Sequence, residues 1–336
     1  DAPRPRARRP SPNDRAVRVR PVSQAQRLSR NQAASRRGME SLPASLCEVP
    51  RGVGAMRPQE NTMNVVDMQA RLTAGSDLSG RVAVVTGSTS GIGLGIARAL
   101  ALGGATLVIN GLARSEQAEA VQTELMLLGA RPVLYSPADM SDATSIEGMI
   151  ETTLEACGRI DILVNNAGIQ HVAPIETFPV ETWDRILAIN LSSAFHTIRL
   201  TLPHMRAQRW GRIINVASAH GLVGSAFKSA YVAAKHGMVG LTKVTALEAA
   251  EDGITCNALC PGYVYTPLVE AQIDDQAKAH NLPRERVVRE VLLAKQPNRR
   301  FATVDEMGAI IRFLASDAAT SITGVALPAD GGWTAQ

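Results

Sequence analysis

Four cysteines in 336 residues, Cys47, Cys157, Cys256 and Cys260, include no C-x-x-C pair. They are too few for a disulfide framework, and a chain this long needs no covalent staples. Free thiols in a reducing compartment are expected. Long apolar runs are missing as well. No stretch approaches the roughly 18 uninterrupted apolar residues of a membrane span, and the first residues lack the apolar centre of a secretory signal. The expected location is cytoplasmic. Lysine is absent from residues 1–75, where 14 arginines stand against 6 acids for a net +8. The other 21 basic and 25 acidic residues leave 76–336 at −4, so the basic character belongs to one end.

That end, residues 1–75, is rich in Arg, Pro, Ala and Ser and is broken at Pro3, Pro5, Pro10, Pro12, Pro21, Pro43, Pro50 and Pro58. It reads as a largely disordered basic extension. An arm for nucleic acid or an anionic surface, or an Arg-rich transit peptide, would share this composition. The preferred reading is an extension upstream of the working protein, with Met56 or Met63 just before the ordered pattern. Neither a nucleic-acid nor a membrane partner is then expected.

From Arg81 onward, short β-branched runs alternate with helical stretches. The runs are Val82–Val85, Thr106–Ile109, Pro132–Tyr135, Ile162–Val164, Arg212–Val216, Ile254–Leu259 and Val325–Leu327; helices are expected at 92–103, 115–129, 142–157, 180–208, 229–251 and 303–315. This rhythm predicts one α/β domain over 76–336, a doubly wound, Rossmann-type, seven-stranded parallel sheet with helices on both faces. Residues 264–298 interrupt it after the sixth strand. Open α/β sheets bind ligands at strand carboxyl ends, so this excursion is a candidate helical substrate lid.

The string Thr86-Gly87-Ser88-Thr89-Ser90-Gly91-Ile92-Gly93 follows the first strand and opens a helix. In that context Gly87 permits a tight turn, Gly91 lets backbone approach a pyrophosphate, and Gly93 lets the helix pack closely on the sheet. Alone, the string is equally an ordinary glycine turn. Further on, Tyr231 and Lys235 stand four apart, on one face of a helix. A phenol near pKa ~10 is a poor base, but an adjacent ammonium and an oxidised nicotinamide would stabilise its phenolate. Tyr231 could then exchange a proton with a substrate hydroxyl, with Ser218 hydrogen-bonding the same oxygen. Singly these residues also suit a surface pair and a strand-end cap.

The TGxxxGxG spacing, Asp139, Asn165-Asn166-Ala167-Gly168, Asn190, Ser218, Tyr231, Lys235 and Pro261-Gly262 occur in the order of the short-chain dehydrogenase/reductase family, which residues 78–336 resemble. The resemblance implies a nicotinamide cofactor held by Gly87, Thr89, Ser90, Gly91, Ile92, Gly93, Asp139, Asn166, Ala167, Gly168, Tyr231, Lys235, Pro261, Gly262 and Val264, with no metal. It implies that Asp139 meets the adenine and that Asn165 steadies the central strands. Asn190 would hold a water linking Lys235 to solvent and complete a catalytic set with Ser218, Tyr231 and Lys235. It also implies a homotetramer through the helices at 180–208 and 229–251. A bland reading of Asp139 is a helix cap near Ser141 and Asp142.

No acid ends the second strand, where Asn110-Gly111-Leu112-Ala113-Arg114 stands. An acid there usually marks NAD, and Arg114 could pair with the 2′-phosphate of NADP or simply start a helix. A narrower similarity favours NAD. Asn165-Asn166-Ala167-Gly168-Ile169-Gln170-His171, Ser218-Ala219-His220-Gly221 and Lys228 resemble the bacterial D-3-hydroxybutyrate dehydrogenases within the family. That branch implies a carboxylate gripped by Gln170, His220, Lys228 and Gln272, in a site where Ser218 and Tyr231 hold the reacting oxygen. One cation and three donors suit a small 3-hydroxy or 3-keto acid. Tyr263 stands where the branch usually has Trp and could widen the pocket; Tyr265 replaces a common basic residue, and Trp333 either reaches the pocket or packs. Two alternatives stand beside this expectation, an NADPH-dependent 3-oxoacyl thioester reductase and a nucleotide-sensing or nucleic-acid-tethered protein using the basic tail.

Overall fold

Seven short runs form seven parallel strands: β1 Val82–Val85, β2 Thr106–Asn110, β3 Val133–Ser136, β4 Ile162–Asn165, β5 Gly211–Val216, β6 Ile254–Pro261 and β7 Ala326–Ala329. Their order across the sheet is β3-β2-β1-β4-β5-β6-β7. The computed structural model describes residues 77–336 apart from Leu268, Ala271, Gln272, Asp275, Gln276 and 278–280. The expectations for residues 1–75 and for Gln272 therefore lie outside the described residues. β1 pairs with β2 on one side and β4 on the other, so the winding reverses between them and leaves a crevice at the strand carboxyl ends.

Strand alternation builds two cores. Ala83, Val85, Leu107 and Ile109 face one side, where Ile96 and Leu100 of helix α1 (Gly91–Ala101), Leu125 of α2 (Ser115–Leu128) and Ile311 of α7 (Val304–Leu314) cover them. Val84, Val108, Leu163 and Ile213 face the other, under Ile146 and Ile150 of α3 (Ala143–Cys157), Leu202 of α5 (Ser193–Gln208) and Ala246 of α6 (Ser229–Ala249). Local signals set several ends. The Asp142 side chain accepts from Thr144 N and Ser145 N to start α3, and Gly158 closes it with φ 70°. Thr303 and Glu306 form a capping box at α7.

The continuous helix expected over 180–208 is instead α4 (Val180–Leu187), a π-helical turn at Ala188–Ser192, and α5. Apolar periodicity cannot detect one extra residue in a turn. The excursion after β6 contains a three-residue helix at Arg284–Arg286, a π turn at Val287–Leu292 and a tight turn at Leu293–Lys295. It has its own small core: Ile273, Val287 and Leu292 pack with Tyr263, Leu282 and Phe301. Cys157 is half-buried, Cys256 and Cys260 are buried, and all three are free thiols. Among the described residues no helix is long and apolar enough to cross a membrane.

Helices α1 and α7 cross at two glycines. A Cβ on Gly95 would lie 2.7 Å from the Val304 carbonyl oxygen, and one on Gly308 would lie 2.6 Å from that of Gly95. Gly308→Val therefore forces the crossing apart, at an expected cost of about 1–3 kcal/mol and a fall of several degrees in Tm. Thermal and urea denaturation measure this; an unchanged midpoint would contradict close packing there.

Candidate active site

The glycine loop between β1 and α1 is braced from three strands. Thr86 Oγ1 accepts from the backbone of Asn166 (2.9 Å) and Ala167 (3.0 Å), while Asn166 Nδ2 donates to the carbonyls of Thr86 and Gly87 (both 2.9 Å). Asn110 Oδ1 accepts from Gly87 N (3.1 Å), and its Nδ2 donates to the carbonyls of Ser136 (3.1 Å) and Ala138 (2.9 Å). An aspartate at 110 would set a carboxylate against those two carbonyl oxygens, so an acid is disfavoured at that position. Gly87 has φ 61°, and a Cβ on Gly93 would collide with the Gly87 carbonyl.

A cavity of about 510 Å³ opens over this loop. Its lining includes Gly87, Thr89, Ser90, Gly91, Ile92, Gly93, Asp139, Asn166, Ala167, Gly168, Gln170, Ser218, Tyr231, Lys235, Pro261 and Gly262. Val264 does not line it; its side chain is buried in the core, and Thr266 and Pro267 take its place at the wall. At the end of β2 the wall is Asn110, Gly111 and Leu112, while Arg114 lies outside it at the start of α2. α1 has no side-chain cap and no acid in its first turn, so its N–H groups and dipole are free for phosphate. These donors fit a dinucleotide. Asp139 does not cap α3, a role taken by Asp142. Its carboxylate accepts from Ser141 N (2.8 Å) and Oγ (2.7 Å), bonds that hold it below the usual carboxylate range.

Lys235 is almost wholly buried on α6, and its Nζ donates to the Val216 carbonyl at 2.7 Å, fastening the helix to the end of β5. Burial pushes its ammonium down to about 8. Lys235 Nζ sits 5.7 Å from the Tyr231 ring centroid. Burial pushes the Tyr231 phenol above its ordinary value, and a hydrogen bond with Ser218 opposes the rise. The lowering expected from the adjacent ammonium is thus not produced by Lys235 alone. Ser218 is buried at the head of the turn Ala219–Gly221, with Oγ accepting from His220 N (3.1 Å).

Asn190 is fully buried in the π turn, where Oδ1 accepts from Ile169 N (2.8 Å) and Nδ2 donates to Ile169 O (2.9 Å). Its amide clamps the peptide next to Gln170. Asn165 also lies in a buried chain: Thr197 Oγ1 donates to Asn165 Oδ1 (2.7 Å), Asn165 Nδ2 to Asn215 Oδ1 (2.9 Å), and Asn215 Nδ2 to Thr242 Oγ1 (2.8 Å). This chain ties β4 and β5 to α5 and α6.

The His220 ring stands edge-on to Tyr231 (centroids 5.9 Å apart) and to Trp333 (5.0 Å). Burial, then the charge of Lys228, pushes His220 down to about 4, and its Nε2 is buried with no hydrogen-bond partner. Burial also lowers Lys228, which sits at the start of α6. Tyr263 stacks on Trp333 at 5.9 Å and 8°. Sequence reasoning missed Thr86 and Asn110 as braces, and Arg185, which also lines the cavity. Only the loop's backbone geometry reveals the braces.

Residues 81–277 match the model of the short chain dehydrogenase family. The chain is 55% identical over 256 residues to the D-beta-hydroxybutyrate dehydrogenase of Rhizobium meliloti, covering 76% of this chain and 99% of that protein. It is 57% identical over 260 residues to the protein of the same name from Cupriavidus necator, covering 77% and 100%. Among solved structures, levodione reductase superposes with a TM-score of 0.70 at 36% identity, covering 76% of this chain and 98% of that one. With the phosphate loop, the parallel sheet and the Ser218–Tyr231–Lys235 cluster in place, the chain belongs to the short-chain dehydrogenase family.

Proposed function

We propose that this protein oxidises D-3-hydroxybutyrate to acetoacetate, reversibly, with NAD as hydride acceptor. The observation that carries this reading is the orphaned Nε2 of His220, buried beside Ser218 and Tyr231 with Lys228 as the largest charge acting on it. A buried nitrogen without a partner costs free energy that a ligand oxygen would recover. A carboxylate supplies that oxygen and also answers Lys228. The relatives named D-beta-hydroxybutyrate dehydrogenase support the same substrate.

When bound, the nicotinamide supplies the hydride-accepting ring. Every other role belongs to side chains of this protein. Gln170, His220, Lys228 and Gln272 hold the carboxylate, the last from the lid at 264–298. Ser218 donates to the substrate oxygen as negative charge builds there. Tyr231 takes the hydroxyl proton, and the Lys235 ammonium stabilises the phenolate that results. A water between Lys235 and the Asn190 turn passes the proton outward. NAD is favoured over NADP because Leu112, not Arg114, meets the cavity at the end of β2. Residues 76–336 form the working unit, and a tetramer through α5 and α6 would cover the exposed Phe195, Val244 and Leu247.

A thioester has no carboxylate to place against His220 and Lys228, so reduction of a 3-oxoacyl thioester is the weaker reading. Initial rates decide between them. D-3-hydroxybutyrate with NAD is expected to give the highest kcat/KM in a panel with its L enantiomer, an acetoacetyl thioester and NADP. Activity on the thioester with NADPH, and none on D-3-hydroxybutyrate, overturns the proposal.

His220 also generates a pH expectation. Its folded pKa of about 4 lies below the ordinary value of 6.5, so the ring is already neutral above pH ~5. KM for the acid should therefore show no titration between pH 5 and 7 that His220→Asn abolishes. A limb near 6.5 lost in that variant would mean that His220 binds the carboxylate as a cation.

A further inference from the structure

The wall behind His220 carries a second lysine. Lys295 ends the turn Leu293–Lys295, and its Nζ lies over the Trp333 ring, 5.9 Å from the centroid. Trp333 is 8% exposed and meets His220 edge-on on one side while stacking with Tyr263. Both ends of this arrangement are held. The Asp330 carboxylate accepts from Gly332 N (3.0 Å), Thr334 N (2.9 Å) and Thr334 Oγ1 (2.6 Å), which fixes the turn that presents Trp333. The Lys295 carbonyl accepts from Gln336 Nε2 (3.1 Å), and next to it Gln296 Oε1 accepts from Tyr263 N (3.1 Å). Among the described residues neither Lys228 nor Lys295 forms an ion pair, although ten such pairs occur elsewhere.

We propose that Lys295 is a specificity-determining residue of this site, an exposed second cation that acts with Lys228 to draw the substrate carboxylate across the Trp333 edge toward His220. The proposal rests on the 3-hydroxy-acid reading above and adds a residue to it. Burial is the first cause that lowers both His220 and Lys228, and the Lys295 charge is a further cause for each. The other charged or titratable groups bearing on His220 are Lys228 and His236, and Tyr231 packs on its ring. Lys228 and Lys295 are both cations. Two cations without an ion-pair partner, set beside one orphaned nitrogen, attract an anion more strongly than a single buried lysine would. A neutral ketone gains nothing from that field.

Lys295→Met keeps the aliphatic stem on Trp333 and removes the charge; Lys295→Arg keeps both. The Met variant should raise KM for D-3-hydroxybutyrate about three- to tenfold, with kcat and the KM for NAD within about twofold of wild type. Arg should restore the wild-type KM, and the difference should shrink above ~0.5 M salt as the exposed charge is screened. The second readout is independent of turnover: in proton NMR the His220 ring should titrate at a higher pH in Lys295→Met than in wild type, because a nearby positive charge has gone. An unchanged KM together with an unchanged His220 titration overturns the proposal, as does a rise in KM that Arg fails to restore. If the wild type leaves D-3-hydroxybutyrate unoxidised, the substrate reading falls, while the His220 titration still decides whether Lys295 acts on this wall.

Discussion

A single buried hydrogen bond organises the chemistry of this protein. Lys235 Nζ donates to the Val216 carbonyl at 2.7 Å, in a place where an ammonium would otherwise be costly. It pins the first turns of α6 against the end of β5, and Tyr231 lies one turn before it on the same face. Ser218 leaves β5 two residues after Val216, so the same bond sets the distance between the hydroxyl and the phenol. Burial holds the ammonium down at about 8, near enough to neutrality for proton exchange yet still charged at pH 7. Behind it, Asn165, Asn215, Thr197 and Thr242 form the polar chain that keeps β4, β5, α5 and α6 in register.

The cluster around His220 obeys a different constraint. Aromatic residues make up only 4% of the chain, yet Tyr231 and Trp333 flank the His220 ring, and Tyr263 and Phe301 continue the cluster from Trp333. Burial against these rings keeps the His220 ring neutral. The small core of the excursion, built on Ile273, Val287 and Leu292, includes Tyr263 and Phe301 of the same wall.

Much of this was legible in the residue order. The sheet followed from short, continuous β-branched runs alternating with helical stretches, and the shared face of Tyr231 and Lys235 followed from helical spacing, because both signals are local. The braces of the phosphate loop were not local. Asn110 was noticed only as a missing acid, whereas its amide joins Gly87 to Ser136 and Ala138, contacts that exist only once β1, β2 and β3 lie side by side. The π turn at Ala188–Ser192 adds one residue to a helical repeat, too little to disturb the apolar pattern over 180–208. Lys295 stands 75 residues after His220 in a stretch with no motif, and only the fold of the excursion brings it to Trp333.

The central claim is that the Tyr231 hydroxyl, placed by Lys235 and Ser218, exchanges the substrate proton. Tyr231→Phe removes that one oxygen and leaves the ring against His220. The direct measurement pairs turnover of D-3-hydroxybutyrate with a titration of NAD binding in this variant. Turnover should fall by about a hundred- to ten-thousandfold while NAD affinity stays within about twofold; turnover close to wild type would contradict the claim.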